Sequence, residues 1–530
     1  MRAAADPEGG GLALPLTALA GGLGLYAALV VATLRLTGGA FEYPLDDPYI
    51  HLALAEQIVR GGYGINPGEL SSPGSSPLFP LLLTPFAGTD MQRYLPAFWN
   101  VVGLSASALI WGRLLVEAGY GRAGWRGLGF AAAFLGPMVL LMPQVGFLGM
   151  EHTLHAAGAL IVVLGLYRHL SGTRTGGVAL ILAGVLLSSV MRFEGMALGL
   201  FAGIVLALTG RRGAGLAVAL LAFLPVVLFM AFLAALGLDP TPSSVQVKMA
   251  EGTVIVGNPI GERAINIIFN LLLPGGRLFA VLAIGLYLLA RLAPGLRQDR
   301  LRLLGYAVAA AALAHILAAQ SGWANRYEHY IVVSLAASLM ALLPLAQGGD
   351  RPGRLVNLSA TAMLIAALSA FFPYGTINLP GGALAIRVQQ GQMAEFAQAA
   401  LKAPVAVNDI GRVAWGNPHY VLDLWGLASG EARDIRANFP PEGWAEPLTV
   451  AHDVPVAMIY DDWLMQAVGA DWVRVGQLEV TVPAVYLGKP DVAFYATSPE
   501  AVAPLRAALA AWEPTLLDGS HFTWDEGMAP

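Results

Sequence analysis

The chain has no cysteine and very little charge. Without cysteine, no disulfide braces any part of it, and both thiol chemistry and cysteine metal sites are excluded. Charged residues make up 12% of its 530 positions, against roughly 25% in an ordinary soluble domain. Lysine is scarcest: Lys248, Lys402 and Lys489 are the only three, beside 27 arginines. A formal net charge of −5 with no concentrated basic surface argues against nucleic-acid binding.

What replaces charge is apolar surface, at 56% of residues. Apolar runs recur from position 11 to 374, each close to the roughly 20 residues that a helix needs to cross a bilayer. Spans are expected near 12–34, 97–117, 127–143, 150–168, 176–192, 194–210, 214–237, 275–291, 303–320, 329–346 and 355–374. The first run follows a lone Arg2 and has no clear small-residue cleavage site, so it is read as a retained helix. The run 77–87 is short and proline-rich, which suits a re-entrant or juxtamembrane segment.

Cytoplasmic loops collect arginine. Arg113, Arg122 and Arg126, then Arg168 and Arg174, Arg211 and Arg212, Arg291, Arg297, Arg300 and Arg302, and finally Arg351 and Arg354 fall on one side of this arrangement. The expected topology is multi-pass with about eleven crossings, the amino terminus inside and residues 375–530 outside. Residues 1–374 carry 22 basic and 17 acidic side chains and residues 375–530 carry 8 and 18, so a membrane domain of +5 precedes an external domain of −10. The external loops are then 38–96, 144–149, 192–195, 238–274 and 321–328.

The first loop carries the most specific signal. Asp47-Pro48 suits a helix start, with Ile50, Leu54 and Ile58 following at helical spacing and Gly61-Gly62 closing it. Such a helix is expected to be amphipathic and to lie along the membrane surface. On a purely structural reading Asp47 caps it while Asp46 faces solvent. His51, Glu56, Tyr63, Asn66 and Glu69 then read as solvated loop residues or sugar contacts.

The run DDPYIHLALAEQI, then GYGINPGE, then SSPLFPLLL resembles the first external loop of GT-C polyprenyl-phosphate-sugar glycosyltransferases, and is most similar to that of bacterial terminal arabinofuranosyltransferase-like membrane proteins. The resemblance covers this loop well and the other spans more loosely. It implies that Asp46 or Asp47 is the catalytic base for an acceptor hydroxyl, and that single displacement inverts the sugar. GMEHTL resembles the family's Gly-Leu-Glu-Thr-like motif, which makes Glu151 a candidate cavity residue, although His152 departs from the pattern. MRFEG resembles an Arg-Pro-Glu-Gly turn, which adds Arg192 and Glu194 as cavity wall or as a plain ion pair, with Phe193 in place of proline. His51 joins them as an acceptor-side candidate.

Lys248, after DPTPSSVQV, and Arg326 in GWANRYEHY are candidates for the donor phosphate, with Tyr327, His329 and Tyr330 beside Arg326 either as further contacts or as interfacial belt residues. The partners implied are a polyprenyl-phosphate sugar, a glycan, lipid or protein acceptor, and membrane lipid, at the outer face of the bacterial cytoplasmic membrane. No cofactor is expected, although Asp46, Asp47 and Glu151 could bind a divalent cation. The competing class is a transporter or noncatalytic scaffold for lipid-linked sugar.

From about residue 382 the pattern turns to an α/β domain: AIRVQQGQMAEFAQAALK reads as helix, and PVAVN, PVAMIYD and DVAFYA read as buried strands. AVNDIGRVAWGNPHYVLDLWGLAS resembles an element of the exported domain in the same transferases. There Asn408, Asp409, Asp423 and Trp425 are either carbohydrate contacts or ordinary turn formers. Asp461 and Asp462 read as solvated surface.

Overall fold

The computed structural model describes residues 11–172, 175–250, 259–296, 299–346, 376–437 and 440–529. Arg174, Arg297, Arg351, Arg354, the expected span 355–374 and the side chain of Lys248 lie outside the described residues. The chain divides into two compact units. One is formed by Met1–Leu29, Ala97–Leu228 and Gly252–Ile377, the other by Val30–Pro96, Phe229–Glu251 and Asn378–Pro530. Both units therefore draw on several stretches of chain.

The first unit is helical. Among the described residues five helices in the chain are long and apolar enough to cross a membrane: Ala13–Leu36, Asp90–Ala118, Arg126–Phe147, His152–Ser171 and Arg212–Ala235. A sixth is counted if Arg263–Leu272 and Gly276–Leu292, bent by 89°, form one span. Gly177–Met191, Gly195–Leu208, Arg302–Ala318 and His329–Leu345 occupy further expected positions as shorter apolar helices. Helix His152–Ser171 is buried along most of its length, and glycines let it approach its neighbour. A Cβ on Gly158 would lie 2.7 Å from the Ser188 nitrogen, and one on Gly184 would lie 2.6 Å from the Gly158 oxygen. Small residues of this kind bring helix backbones together where lipid removes the hydrophobic drive. At one end of this packing Arg168 and Arg113 converge on Glu117, at 2.6 and 2.9 Å.

The second unit is built on a six-stranded sheet of β1 (Val405–Val407), β2 (Val421–Asp423), β3 (Val456–Ile459), β4 (Val473–Val480), β5 (Asp491–Ala496) and β6 (Ser520–Trp524), in the order β2-β1-β3-β5-β4-β6. The first three are parallel and the last three antiparallel. Ala406, Leu422, Ala457, Ile459, Trp444, Leu448, Trp472 and Tyr495 form one core on it. The expected helix runs from Leu379 to Leu401, widened by two π turns at Arg387–Gly391 and Phe396–Leu401.

The first loop is part of this unit. Helix Asp47–Val59 buries ten successive residues from Pro48 to Gln57. It is therefore a core helix and not the expected amphipathic surface helix: its polar His51, Glu56 and Gln57 point into protein as well. The Asn66 amide donates to the Val421 carbonyl and accepts from the Val421 amide, both at 2.9 Å. Edge strand β2 thus gains a side-chain rung that covers its open hydrogen bonds.

Candidate functional site

The two acids of the first loop have different surroundings. Asp46 precedes helix Asp47–Val59 without capping it. Its carboxylate reaches instead to the start of helix Gly411–Ala414, where Oδ2 accepts from the Gly411 amide at 2.6 Å and Oδ1 from the Arg412 amide at 2.7 Å. Two amides at a helix start suit a carboxylate. Both Asp46 oxygens are thereby used, and Asp46 does not simply face solvent. Asp47 occupies the first helical position beside Pro48.

Asp409 joins them, on the loop after β1. Its Oδ2 lies 3.0 Å from Gln390 Nε2 and 2.8 Å from the Tyr460 hydroxyl. Asn408 accepts from the Tyr460 amide at 2.9 Å and ties the ends of β1 and β3 together. These groups therefore gather at the carboxyl ends of parallel strands, where open α/β sheets place their ligands. Burial and the charge of Asp409 push the Asp46 carboxyl up, against the pull of its two amides. Burial also raises Asp409, against the pull of its contacts with Tyr460 and Gln390, with the Asp47 charge adding to the rise. The sequence marks Asp409 as a carbohydrate contact or turn former, and only the fold brings it beside the Asp-Asp pair.

Around this group Arg412 lies 3.4 Å from Glu42 and over the rings of Tyr49 and Trp415, at 5.5 and 5.3 Å. The Tyr49 hydroxyl donates to Glu42. His51 packs edge-on against Phe79 at 5.5 Å, a core contact. Glu56 is buried and accepts from the Gly416 amide at 3.3 Å, so neither residue is a solvated loop position. Lys248 lies on helix Ser243–Ala250 of the same unit.

Two other candidates are taken up structurally. Asp423 accepts from the Trp425 and Ala428 amides at 2.8 and 2.6 Å, so it shapes its own loop. Burial still pushes its carboxyl up to about 6. The Arg436 guanidinium sits 3.6 Å over the Trp425 ring, and the Trp463 ring packs against it at 4.8 Å, tilted by 40°. Asp461 is bound by Arg474 at 3.2 Å and by the Tyr495 hydroxyl at 2.8 Å, while Lys489 pairs with Asp462 at 2.6 Å.

The helical unit holds a second polar cluster. Arg192 pairs with Glu151 at 2.6 Å and with Glu194 at 2.8 Å, and Glu151 is fully buried. The Arg192 and Arg326 guanidiniums lie over the Tyr327 ring, at 5.3 and 5.2 Å. Arg326 is 1% exposed and also donates to the Tyr327 hydroxyl at 3.3 Å. The segment before it is unusual: Gly322, Trp323, Ala324 and Asn325 all have positive φ, a conformation costing roughly 1–2 kcal/mol for each residue with a Cβ. Glu328 accepts from the Gly322 amide at 2.8 Å and holds this turn. His329 bonds through Nε2 to the Leu140 carbonyl at 2.9 Å, and His155 stacks on Tyr330 at 4.3 Å. Glu151 Oε2, Glu328 Oε1 and both His152 ring nitrogens are buried and make no hydrogen bond among the described residues.

The cluster thus brings Glu151, Arg192, Glu194, Arg326, Tyr327 and His329 into one unit, and Asp46, Asp47, His51 and Lys248 belong to the other. Among the described residues no three acidic or histidine side chains converge as a metal-ligand set.

Residues 383–495 match a family described as a domain of unknown function, DUF8728. No curated protein matches the chain in sequence. Among solved structures the chain is similar to the Archaeoglobus fulgidus oligosaccharyltransferase tethered with an acceptor peptide containing the NVT sequon, at 14% identity and a TM-score of 0.46, over 96% of this chain and 76% of that one. The same enzyme in complex with zinc and sulfate matches at 14% and 0.46, over 95% and 75%. ArnT from Cupriavidus metallidurans bound to undecaprenyl phosphate matches at 14% and 0.37, over 90% and 98%. The functional reading of this chain stands on its own residues.

Proposed function

We propose that this chain is a membrane glycosyltransferase of the GT-C type, moving a sugar from a polyprenyl-phosphate donor to a glycan, lipid or protein acceptor at the outer face of the cytoplasmic membrane. The observation that carries the reading is the division between the two acids of the first loop. Asp46 commits both oxygens to backbone amides. Asp47 heads a buried helix that fixes its backbone. A general base needs that rigidity and must lie within hydrogen-bond reach of the hydroxyl it serves.

In this mechanism Asp47 takes the proton of the acceptor hydroxyl as that oxygen attacks the anomeric carbon. The bond from anomeric carbon to phosphate oxygen breaks on the opposite side, and polyprenyl phosphate leaves with the electron pair, so the sugar inverts. Arg326 and Lys248 are the candidates to neutralise the departing phosphate, with Tyr327 and His329 as supporting contacts. Arg192 is already neutralised by Glu151 and Glu194, so its role is to orient these carboxylates and the Tyr327 ring. The external location of residues 375–530 belongs to the same proposal.

The test is transfer by purified protein in lipid, using a panel of polyprenyl-phosphate sugars and following release of polyprenyl phosphate. Alanine at Asp47 is expected to abolish release. Full activity in both the Asp46→Ala and Asp47→Ala proteins would overturn the mechanism. Donor binding without release, even with an acceptor that matches the donor, would favour a scaffold or transporter.

A further inference from the structure

The Tyr460 hydroxyl has one proton and two oxygens that require it. It lies 2.6 Å from Gln389 Oε1 and 2.8 Å from Asp409 Oδ2. The orientation of Gln389 is fixed, because its Nε2 donates to the Lys489 and Pro490 carbonyls at 2.8 and 2.9 Å. A flipped amide would set its oxygen against those two carbonyls. Gln389 Oε1 therefore accepts the Tyr460 proton. The 2.8 Å contact to Asp409 then needs a second proton, since two bare oxygens at that distance repel. Asp409 supplies it if its carboxyl is neutral: Asp409 donates to Tyr460, and Tyr460 donates to Gln389. Gln389 and Tyr460 are buried to 1% exposure or less, while Asp409 is half-buried.

Asp46 is bound in the opposite way. Both its oxygens accept from amides, which leaves no hydrogen-bonding reason for it to hold a proton. We propose that Asp409 is a positioning residue that carries the single proton of the Asp46–Asp409 pair, so that Asp46 and Asp47 stay carboxylates at neutral pH. Coupled carboxyls titrate as a unit, and the hydrogen bonds around each decide where the shared proton rests. The groups that act on Asp409 are Asp46 and Asp47 at the head of the first-loop helix, Tyr460 after β3, Asn408 on its own loop, and Gln390 on the helix preceding β1. All belong to one unit of the fold. A third negative charge in this group would disturb the base and the Asp46 anchor; a neutral Asp409 removes that repulsion. This consequence for catalysis rests on the glycosyl-transfer reading, whereas the protonation itself does not.

The experiment is infrared difference spectroscopy of the purified full chain at pH 7, wild type minus Asp409→Asn, reading the carbonyl band of a protonated carboxyl. The expected result is a band that Asp409→Asn removes, that Asp46→Asn leaves in place, and that Tyr460→Phe shifts through loss of the hydroxyl partner. No band in the difference, or a band removed by Asp46→Asn alone, would overturn the proposal. Tyr460→Phe keeps the test decisive if Asp409→Asn fails to fold, because an unshifted spectrum in that protein also sinks it. In transfer assays Asp409→Asn, which retains an N–H donor toward Tyr460, should keep far more activity than Asp409→Leu and should lose the alkaline limb of the wild-type pH profile. A band behaving as expected in a protein that transfers no sugar would overturn the transferase reading and leave the protonation standing.

Discussion

Alanine at Asp46 and alanine at Asp47 are expected to fail in different ways. Removing the Asp46 carboxylate strands the Gly411 and Arg412 amides, and a half-buried unmet donor costs about 1–3 kcal/mol; thermal unfolding in detergent should show a clearly lowered Tm. Asp47 holds neither of these amides and adds a helix-start charge worth about 0.3–1 kcal/mol, so Asp47→Ala should lower Tm less than Asp46→Ala while losing transfer by about 10²–10⁴. An equal drop in Tm for both would remove the distinction. Arg192 gives a third outcome in the other unit. Arg192→Met leaves Glu151 buried without a countercharge, a loss of about 3–5 kcal/mol, and adding Glu151→Gln should recover part of it in a double-mutant cycle. Asp423 predicts a pH effect with a definite sign. Its carboxyl is raised to about 6, so the folded state holds a proton that the unfolded chain has already lost. Stability from this group is therefore greatest below its ordinary value near 4 and declines as pH rises to about 6. Wild type should lose Tm relative to Asp423→Asn across that interval and run parallel to it above. The sequence exposed Asp46 and Asp47 as a pair because their motif is local. It left their roles open because the amides that separate them stand 365 and 366 residues away.

At the level of elements, the contact between Asp46 and helix Gly411–Ala414 depends on the absence of a side chain. A Cβ at Gly411 would lie 2.2 Å from the Asp46 carbonyl oxygen and 2.8 Å from Oδ2. The first belongs to a backbone fixed by the following helix and the second to the carboxylate that the Gly411 and Arg412 amides hold, so Gly411→Ala should displace the carboxylate and lower Tm as Asp46→Ala does. Gly430→Ala is the control, with no atom but an Arg433 guanidinium nitrogen near, at 4.0 Å. The elements differ in how readable they were. β1 and β3 are unbroken buried apolar runs, as is β5 after its exposed Asp491, and they announce themselves. β2 has only three residues and is identified by its partners, with Asn66 supplying the outer rung. β4 alternates in burial and is broken by a register shift between Arg474 and Gly476, and β6 is mostly polar, so neither shows an apolar run. The first-loop helix begins one residue earlier than expected, with Asp46 and not Asp47 at the N-cap position, and its surroundings differ too: polar His51 and Glu56 imply a wet face until Phe79 and Gly416 are seen to meet them.

For the molecule as a whole, hydropathy located the helices but could not fix how many of them cross lipid. Five described helices have the length and composition to span, and four more are 10–17 residues long, shorter than the roughly 20 residues that a bilayer asks for. Neither could hydropathy foresee that residues 30–96 and 229–251 fold with 378–530, because that grouping rests on contacts between distant segments. The number of crossings decides which side of the membrane the carboxy-terminal residues occupy: an odd number separates the two ends of the chain, an even number does not. A chain with no cysteine makes this directly measurable. Single cysteines at exposed Ala123, in an arginine-bearing connection, and at exposed Asp518 can be challenged in intact cells with a membrane-impermeant maleimide. The arginine distribution predicts labelling at Asp518→Cys without permeabilisation and at Ala123→Cys only after it. Labelling of both from outside would break the positive-inside assignment. Labelling of neither until the membrane is opened would put the sheet-bearing unit on the inner face, and with it Asp47, away from any acceptor that the envelope presents.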